Sequence, residues 1–163
     1  LKPEDYLRLK RLPWLWRFNL FDCTDISGIL NKLTSENNIL MHLTVSGCKL
    51  KDQDFETIAK MKRLAYLDLT NTNATGSQLA KLNNLDSLQN LFINCPGISA
   101  ADIPTIARFK NLKFLRVNPS WTPTDIEKIK ALYPKDKIEV SSPTPEGTKE
   151  TIETFLDFKL EKL

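Results

Sequence analysis

The sequence predicts an α/β solenoid, in which short parallel strands line a concave face and helices cover the convex face. Three observations support this fold class. A leucine pattern recurs every 24 residues, each copy begins with the alternation typical of a short strand, and each copy ends with apolar residues at about every third position, which indicates a helical turn. One copy could not bury its leucines alone, so about five copies are expected to stack as rungs.

The strand half of each repeat reads L-x-x-L-x-L-x-x, followed by Cys, Thr, Pro or Ser at the ninth position. Full copies begin at Leu40, Leu64, Leu88 and Leu112, a degenerate copy begins at Leu15, and residues 138–140 begin a last turn. Parallel strands need a crossover connection, and such crossovers are right-handed. Each repeat is therefore expected to add one strand to the sheet and one helix to the outside.

Helix starts are marked by side chains that can cap the first turn. The expected capping pairs are Thr75 with Gln78, Ser99 with Asp102, and Thr122 with Asp125. Pro123, directly after Thr122, would occupy the first position of its helix. The carboxylates Asp52, Asp54 and Glu56 lie near lysines in the same helical region. They are interpreted as part of an ordinary solvated helix face.

The recurring pattern resembles the leucine-rich-repeat family, and within it the ribonuclease-inhibitor-like and cysteine-containing repeats. The resemblance covers about residues 6–140 and implies the solenoid fold, with leucines inside. It says little about function, because this architecture carries many unrelated binding roles. The mitochondrial ATP-synthase subunit s and related assembly factors are similar in size and repeat type.

The chain divides into three parts. Residues 1–14 are expected to form an N-terminal helical cap or partial repeat, and residues 15–140 the leucine-rich repeats. Residues 141–163 are expected to form a linker and a C-terminal amphipathic helix. That last helix would carry one apolar stripe, which could cover the final rung or dock on a partner: Ile152, Phe155, Leu156, Leu160 and Leu163.

Composition narrows the class of function. The 23 basic and 20 acidic residues give a net charge of +3, too balanced to indicate a nucleic-acid partner. No apolar run approaches the roughly 18 residues that a membrane helix requires, so membrane insertion is not expected. Three cysteines favour free thiols, and hence an intracellular location, over a disulfide framework.

The cysteines lie at or next to the ninth position of the repeat, and the residues at that position in successive copies are expected to stack in a column. Cys23 and Cys48 share that column with Thr72, and both are predicted to be buried, reduced structural thiols. Stacked side chains in adjacent rungs run parallel, which disfavours a disulfide between them. Cys95 precedes the column by one position and is expected to be exposed, and Trp121 is expected near the rim.

Nothing in the sequence indicates catalysis, a metal site or a cofactor. His42 is the only histidine, and no Cys-x-x-Cys, His-x-x-His or glycine-rich phosphate loop is present. A nucleophile would lack a base, and zinc would lack ligands. The chain is therefore predicted not to be an enzyme.

Candidate partner-binding residues follow from alternation along the strands. If positions one, four and six face the core, positions three, five and seven face the concave side. The candidates are Arg17, His42, Tyr66, Asp68, Phe92, Phe114 and Arg116. Aromatic residues and arginine dominate interface energetics. Three interpretations stay open: a protein-binding site, a surface covered by the C-terminal segment, or a chance cluster. As surface residues, Phe92 and Phe114 are expected to tolerate truncation to Ala with little loss of stability.

The sequence thus predicts a non-enzymatic module that binds a protein through its concave face. One alternative is a permanent structural or assembly subunit of a larger complex, for which the resemblance to ATP-synthase subunit s implies a mitochondrial location. Another is a sensor domain from a longer repeat protein. The partner and the oligomeric state do not follow from the sequence.

Overall fold

The computed structural model describes residues 15–36, 39–134 and 137–142. Within them, six three-residue strands form one open parallel sheet in chain order. The strands are β1 (Arg17–Asn19), β2 (His42–Thr44), β3 (Tyr66–Asp68), β4 (Asn90–Phe92), β5 (Phe114–Arg116) and β6 (Glu139–Ser141). The predicted α/β solenoid is confirmed. It has six strands and not about five, because the last turn predicted at residues 138–140 forms a complete strand that pairs with β5.

The strand register confirms the 24-residue repeat. Leu43, Leu67, Leu91 and Leu115 are aligned across β2 to β5. All four are fully buried. The apolar residues two positions later, which are Val45, Leu69, Ile93 and Val117, are also buried. One continuous core therefore runs through the stacked repeats, and each repeat depends on its neighbours for burial.

Helices fill the second half of each repeat. They are α1 (Ser27–Glu36), α2 (Asp52–Ile58), α3 (Gly76–Ala80), α4 (Ile103–Ile106), which follows a 3₁₀ turn (Ala100–Asp102), and α5 (Pro123–Ala131). The three predicted capping boxes are confirmed. Thr75 and Thr122 each accept a hydrogen bond from the third residue of the helix, and Ser99 caps the 3₁₀ turn.

The interpretation of Asp54 as a solvated helix-face carboxylate is wrong. Its side chain is buried, and its Oδ2 accepts a 2.7 Å hydrogen bond from the backbone N–H of Lys51. This contact satisfies a donor at the start of α2 that the helix itself cannot bond. Asp52 and Glu56 are exposed, and both form ion pairs with Lys81 of the next repeat.

The position expected for Cys95 is also wrong. Cys48 and Thr72 each donate their backbone N–H to the carbonyl three residues back. Pro96, the next member of the column by count, has no N–H to donate. Cys95 takes the inward place instead: it is fully buried, and its Sγ donates to the Leu69 carbonyl at 2.8 Å.

Trp121 is likewise inside and not at the rim. Its side chain is buried, and its backbone N–H donates to the Asn118 carbonyl three residues back, as the backbone N–H groups of Cys48 and Thr72 do in their turns. The indole fills the column space where Ser120 was expected by count. The fifth repeat therefore replaces a small polar side chain with a large apolar one at the end of the core.

All three cysteines are free. Cys48 is buried, but Cys23 is only half-buried, so the prediction that both are shielded holds for Cys48 alone. The thiols are neighbours, since the Cys23 N–H donates to the Cys48 Sγ at 3.4 Å. Burial raises the pKa of Cys48 to about 11 and raises that of Cys95 as well.

Thiol labelling at mildly alkaline pH should separate these cysteines. We expect Cys23 to react first, because Cys48 and Cys95 combine poor access with a small thiolate fraction. All three should react after denaturation. Mass spectrometry of labelled peptides measures the order. Equal rates in the native state, or a native mass two units light from a Cys23–Cys48 disulfide, would contradict the assignment.

The predicted N-terminal cap at residues 1–14 and the segment 143–163 lie outside the described residues, so both stay predictions. Among the described helices, none is both long and apolar enough to cross a membrane.

Candidate partner-binding surface

Two rows of side chains cross the sheet at positions three and five of the repeat. The third-position row contains Arg17, His42, Tyr66, Asn90, Phe114 and Glu139, and the fifth-position row contains Asn19, Thr44, Asp68, Phe92, Arg116 and Ser141. All seven candidate residues fall in these two rows. Because strand side chains alternate, both rows face away from the leucine core, onto the concave side.

Four of the candidate rings form a continuous chain of contacts, which we call the aromatic ladder. His42 and Tyr66 are stacked, with ring centroids 3.8 Å apart and planes inclined by 7°. Tyr66 and Phe92 follow at 4.9 Å, and Phe92 and Phe114 at 5.2 Å, both tilted. The ladder alternates between the two rows from β3 to β5. Contacts between aromatic rings at such centroid distances are individually favourable.

Phe92 is more buried than a surface residue. Only 6% of it is exposed, whereas Tyr66 and Phe114 on either side are half-buried. The interpretation of Phe92 as a surface residue is therefore wrong, because its ring packs between two others. We now expect its truncation to reduce stability. Strand alternation gives the face of the sheet, but not how closely neighbouring rings enclose a side chain on that face.

Thr44 is buried beside the ladder, and it was not among the candidate residues. It is aligned with Asp68 in the fifth-position row, and its Oγ1 is 3.5 Å from the Nε2 of His42. The strand register could have indicated this contact, since Thr44 and His42 are two residues apart on one face. Thr44 thus lies within hydrogen-bond distance of the imidazole that stacks on Tyr66.

Asp68 places a carboxylate among the rings. Its Oδ1 accepts a 2.8 Å hydrogen bond from the backbone N–H of Thr70. Burial raises the pKa of the Asp68 carboxyl, while the Thr70 hydrogen bond and the positive charge of Arg116 act to lower it. Burial together with this carboxylate also raises the pKa of Tyr66, so its hydroxyl stays protonated. The centre of the surface thus carries a half-buried negative charge.

Asp68→Asn is expected to raise the free energy of unfolding at neutral pH, because the amide can keep the Thr70 contact without a buried charge. A carboxyl whose folded pKa is raised contributes most favourably below its unfolded pKa of about 3.9. That contribution is lost as pH rises through the folded value. The advantage of Asn should therefore widen from acidic to neutral pH.

Chemical denaturation of the native chain and the variant over that pH range tests this expectation. The other charged and titratable side chains that share this face are His42, Tyr66, Arg17, Arg116 and Glu139, and all are unchanged in the variant. Asp52→Asn, at an exposed and ion-paired position, is the control. A difference that stays constant with pH would show that desolvation of Asp68 does not matter.

The two arginines lie toward the ends of the ladder. Arg17 on β1 is exposed and adjacent in register to His42, and Arg116 on β5 is half-buried and adjacent to Phe92. Glu139 on β6, exposed beside Phe114, extends the third-position row beyond the candidates, because its strand was predicted only as a stub. In the described part of the chain, no group of three or more His, Cys, Asp or Glu side chains could hold a metal ion.

Comparison with known proteins gives a structural likeness and no family. No family model matches the chain, and no curated protein matches it. Among solved structures, the chain is similar to an internalin, InlF, from Listeria monocytogenes, with 18% sequence identity and a TM-score of 0.44. The match covers 75% of this chain and 40% of the internalin, so this chain spans less than half of the internalin's length.

Proposed function

We propose that this chain is a non-enzymatic interaction module that binds a protein partner through its concave face. The observation that carries the proposal is the aromatic ladder, whose rings are in contact from β2 to β5. Aromatic and arginine side chains provide most of the binding energy in protein interfaces. The ladder has arginines near both ends and a carboxylate within it, so it offers apolar area together with charges that can define orientation.

The size and rigidity of the surface suit a segment of a partner. Four strands at about 4.8 Å spacing place the outer rungs of the ladder roughly 14 Å apart. An extended peptide of four or five residues covers that distance. The rings are fixed by each other and by a hydrogen-bonded sheet, so little side-chain entropy would be lost on binding.

A second function, as a permanent subunit of a larger assembly, is favoured by exposed apolar side chains near β1. Trp16, Phe21 and Met41 are 46%, 61% and 44% exposed, respectively. Adjacent exposed apolar residues often mark contact sites. An obligate subunit would need this surface covered, so it should aggregate when purified alone. A free-standing module should stay monomeric in size-exclusion chromatography with light scattering.

The test of the main proposal is capture of a partner from an extract of the source cells, followed by measurement of its Kd. Phe114→Ala and Tyr66→Ala are each expected to weaken binding about thirtyfold, equivalent to roughly 2 kcal/mol. Phe21→Ala is the matched control, because it removes an exposed aromatic ring outside the ladder. Denaturation curves for each variant separate lost binding from lost folding.

The pattern of losses decides between the two functions. Binding that depends on Phe114 and Tyr66, and not on Phe21, supports the concave face. Binding that depends on Phe21 or Trp16 and is indifferent to the ladder would contradict the proposal and place the contact near β1, as expected for an assembly subunit.

A further inference from the structure

The position of Asp68 defines a site within the ladder. In the fifth-position row it lies between Thr44 on β2 and Phe92 on β4. Tyr66 is two residues earlier on the same strand, and therefore on the same face. The carboxylate thus has aromatic rings on its own strand and on the next, and a buried threonine on its other side.

The hydrogen bonding of this carboxylate is incomplete. Oδ1 accepts from the Thr70 N–H. Among the residues that the structure describes, Oδ2 receives no hydrogen bond. A carboxylate that is withdrawn from water without full compensation costs stability. A donor that reached Oδ2 would therefore gain more here than at an exposed carboxylate.

The cations in the two rows are not placed to provide that donor. Arg17 on β1 and Arg116 on β5 are each two strands from Asp68, which is about 10 Å along the sheet. Arg116 acts on the Asp68 carboxylate through its charge and not through a hydrogen bond. The half-buried charge is thus only partly compensated within the described chain.

We propose that Asp68, with the rings of Tyr66 and Phe92 beside it, receives a lysine or arginine side chain of the protein partner. This inference deepens the proposed function and rests on it. The carboxylate supplies the opposite charge and a hydrogen-bond acceptor, while the exposed part of the half-buried Tyr66 side chain packs against the aliphatic stem of the cation. An acidic side chain at the same place would be repelled by Asp68. The partner segment is therefore basic at this position, with apolar neighbours for His42 and Phe114.

The probes are four peptides of sequence acetyl-Gly-Leu-X-Leu-Gly-amide, in which X is Lys, Arg, norleucine or Glu. Norleucine keeps the aliphatic stem of lysine without the charge. Each peptide is titrated into the full chain, and the ring resonances of Tyr66 and Phe92 are followed by NMR. The protein variants are Asp68→Asn and, as the matched control on the convex side, Asp52→Asn.

We expect the Lys and Arg peptides to bind at least tenfold more tightly than the norleucine peptide, and the Glu peptide to bind most weakly. In Asp68→Asn the preference for a cation should disappear, while affinity for norleucine is unchanged. Asp52→Asn should behave like the native chain. Unfolding curves confirm that each variant is folded.

Two results would overturn the inference. Equal binding of the Lys and norleucine peptides, or an unchanged cation preference in Asp68→Asn, would leave an apolar site with no cation specificity. The proposed function would then still stand. If no peptide shifts the Tyr66 and Phe92 resonances, the cation site is rejected. The proposed function is tested separately, by the binding of the captured partner to the Phe114→Ala and Tyr66→Ala variants.

Discussion

Leu91→Ala is expected to lower the free energy of unfolding by about 2–5 kcal/mol, the range for leucine truncation in a packed core. Leu91 lies on the central strand β4, fully buried, and is aligned with Leu67 on one side and Leu115 on the other. The removed methyl groups leave a cavity in the core, between the leucines of the two neighbouring rungs. Because the hydrogen-bonded sheet fixes the spacing of those rungs, the neighbouring leucines cannot close the cavity, which places the loss toward the upper end of the range.

Urea denaturation measures this loss, and Leu132→Ala is its matched control. Leu132 follows α5 and is 55% exposed, so the same chemical change should cost less than about 0.5 kcal/mol there. In a repeat protein each unit is stabilised mainly by its neighbours, so a defect in the central rung affects both halves of the array. A similar small cost for both variants would mean that the central leucines are not packed as described.

Phe92→Ala is expected to lower the free energy of unfolding by about 3–5 kcal/mol, the range for truncation of a buried phenylalanine. Burial of a phenylalanine side chain contributes roughly 1.5–3 kcal/mol. Each ring pair adds about 0.5–1.5 kcal/mol. Phe92 is 6% exposed and is the one ladder ring with a phenylalanine partner and a tyrosine partner, at 5.2 and 4.9 Å. Its removal also separates Phe114 from the rest of the ladder.

Two other truncations make the Phe92 result interpretable. Phe114→Ala removes a half-buried ring with one of these contacts and should cost clearly less than Phe92→Ala. Phe21→Ala removes a ring that is 61% exposed and should change stability by less than about 0.5 kcal/mol. Thermal or urea denaturation of the three variants gives the order. Equal costs at Phe92 and Phe21 would show that the ladder rings do not support one another.

The candidate site was partly accessible from the sequence. Alternation placed Tyr66, Phe92 and Phe114 on one face, because successive side chains of a strand point to opposite sides. The 24-residue spacing placed them on neighbouring strands. Their mutual contacts, the stacking of His42 on Tyr66 and the enclosure of Phe92 depend on side-chain torsions, which no repeat pattern specifies. Whether a partner binds this surface is still a proposal.

The sequence by itself determined the strand order, the leucine core and the helix caps. These follow from local rules: the period of the apolar residues, and the match between a capping side chain and free N–H groups at a helix start. The tertiary structure alone decided the burial of Asp54, Cys95, Trp121 and Phe92. At Cys95 the reason is a missing donor, since Pro96 cannot form the turn that Cys48 and Thr72 form. Phe92 is buried because the rings of Tyr66 and Phe114 cover it. These rings belong to the adjacent rungs, which are about 24 residues away in the chain, so the exposure of Phe92 cannot be read from its own strand.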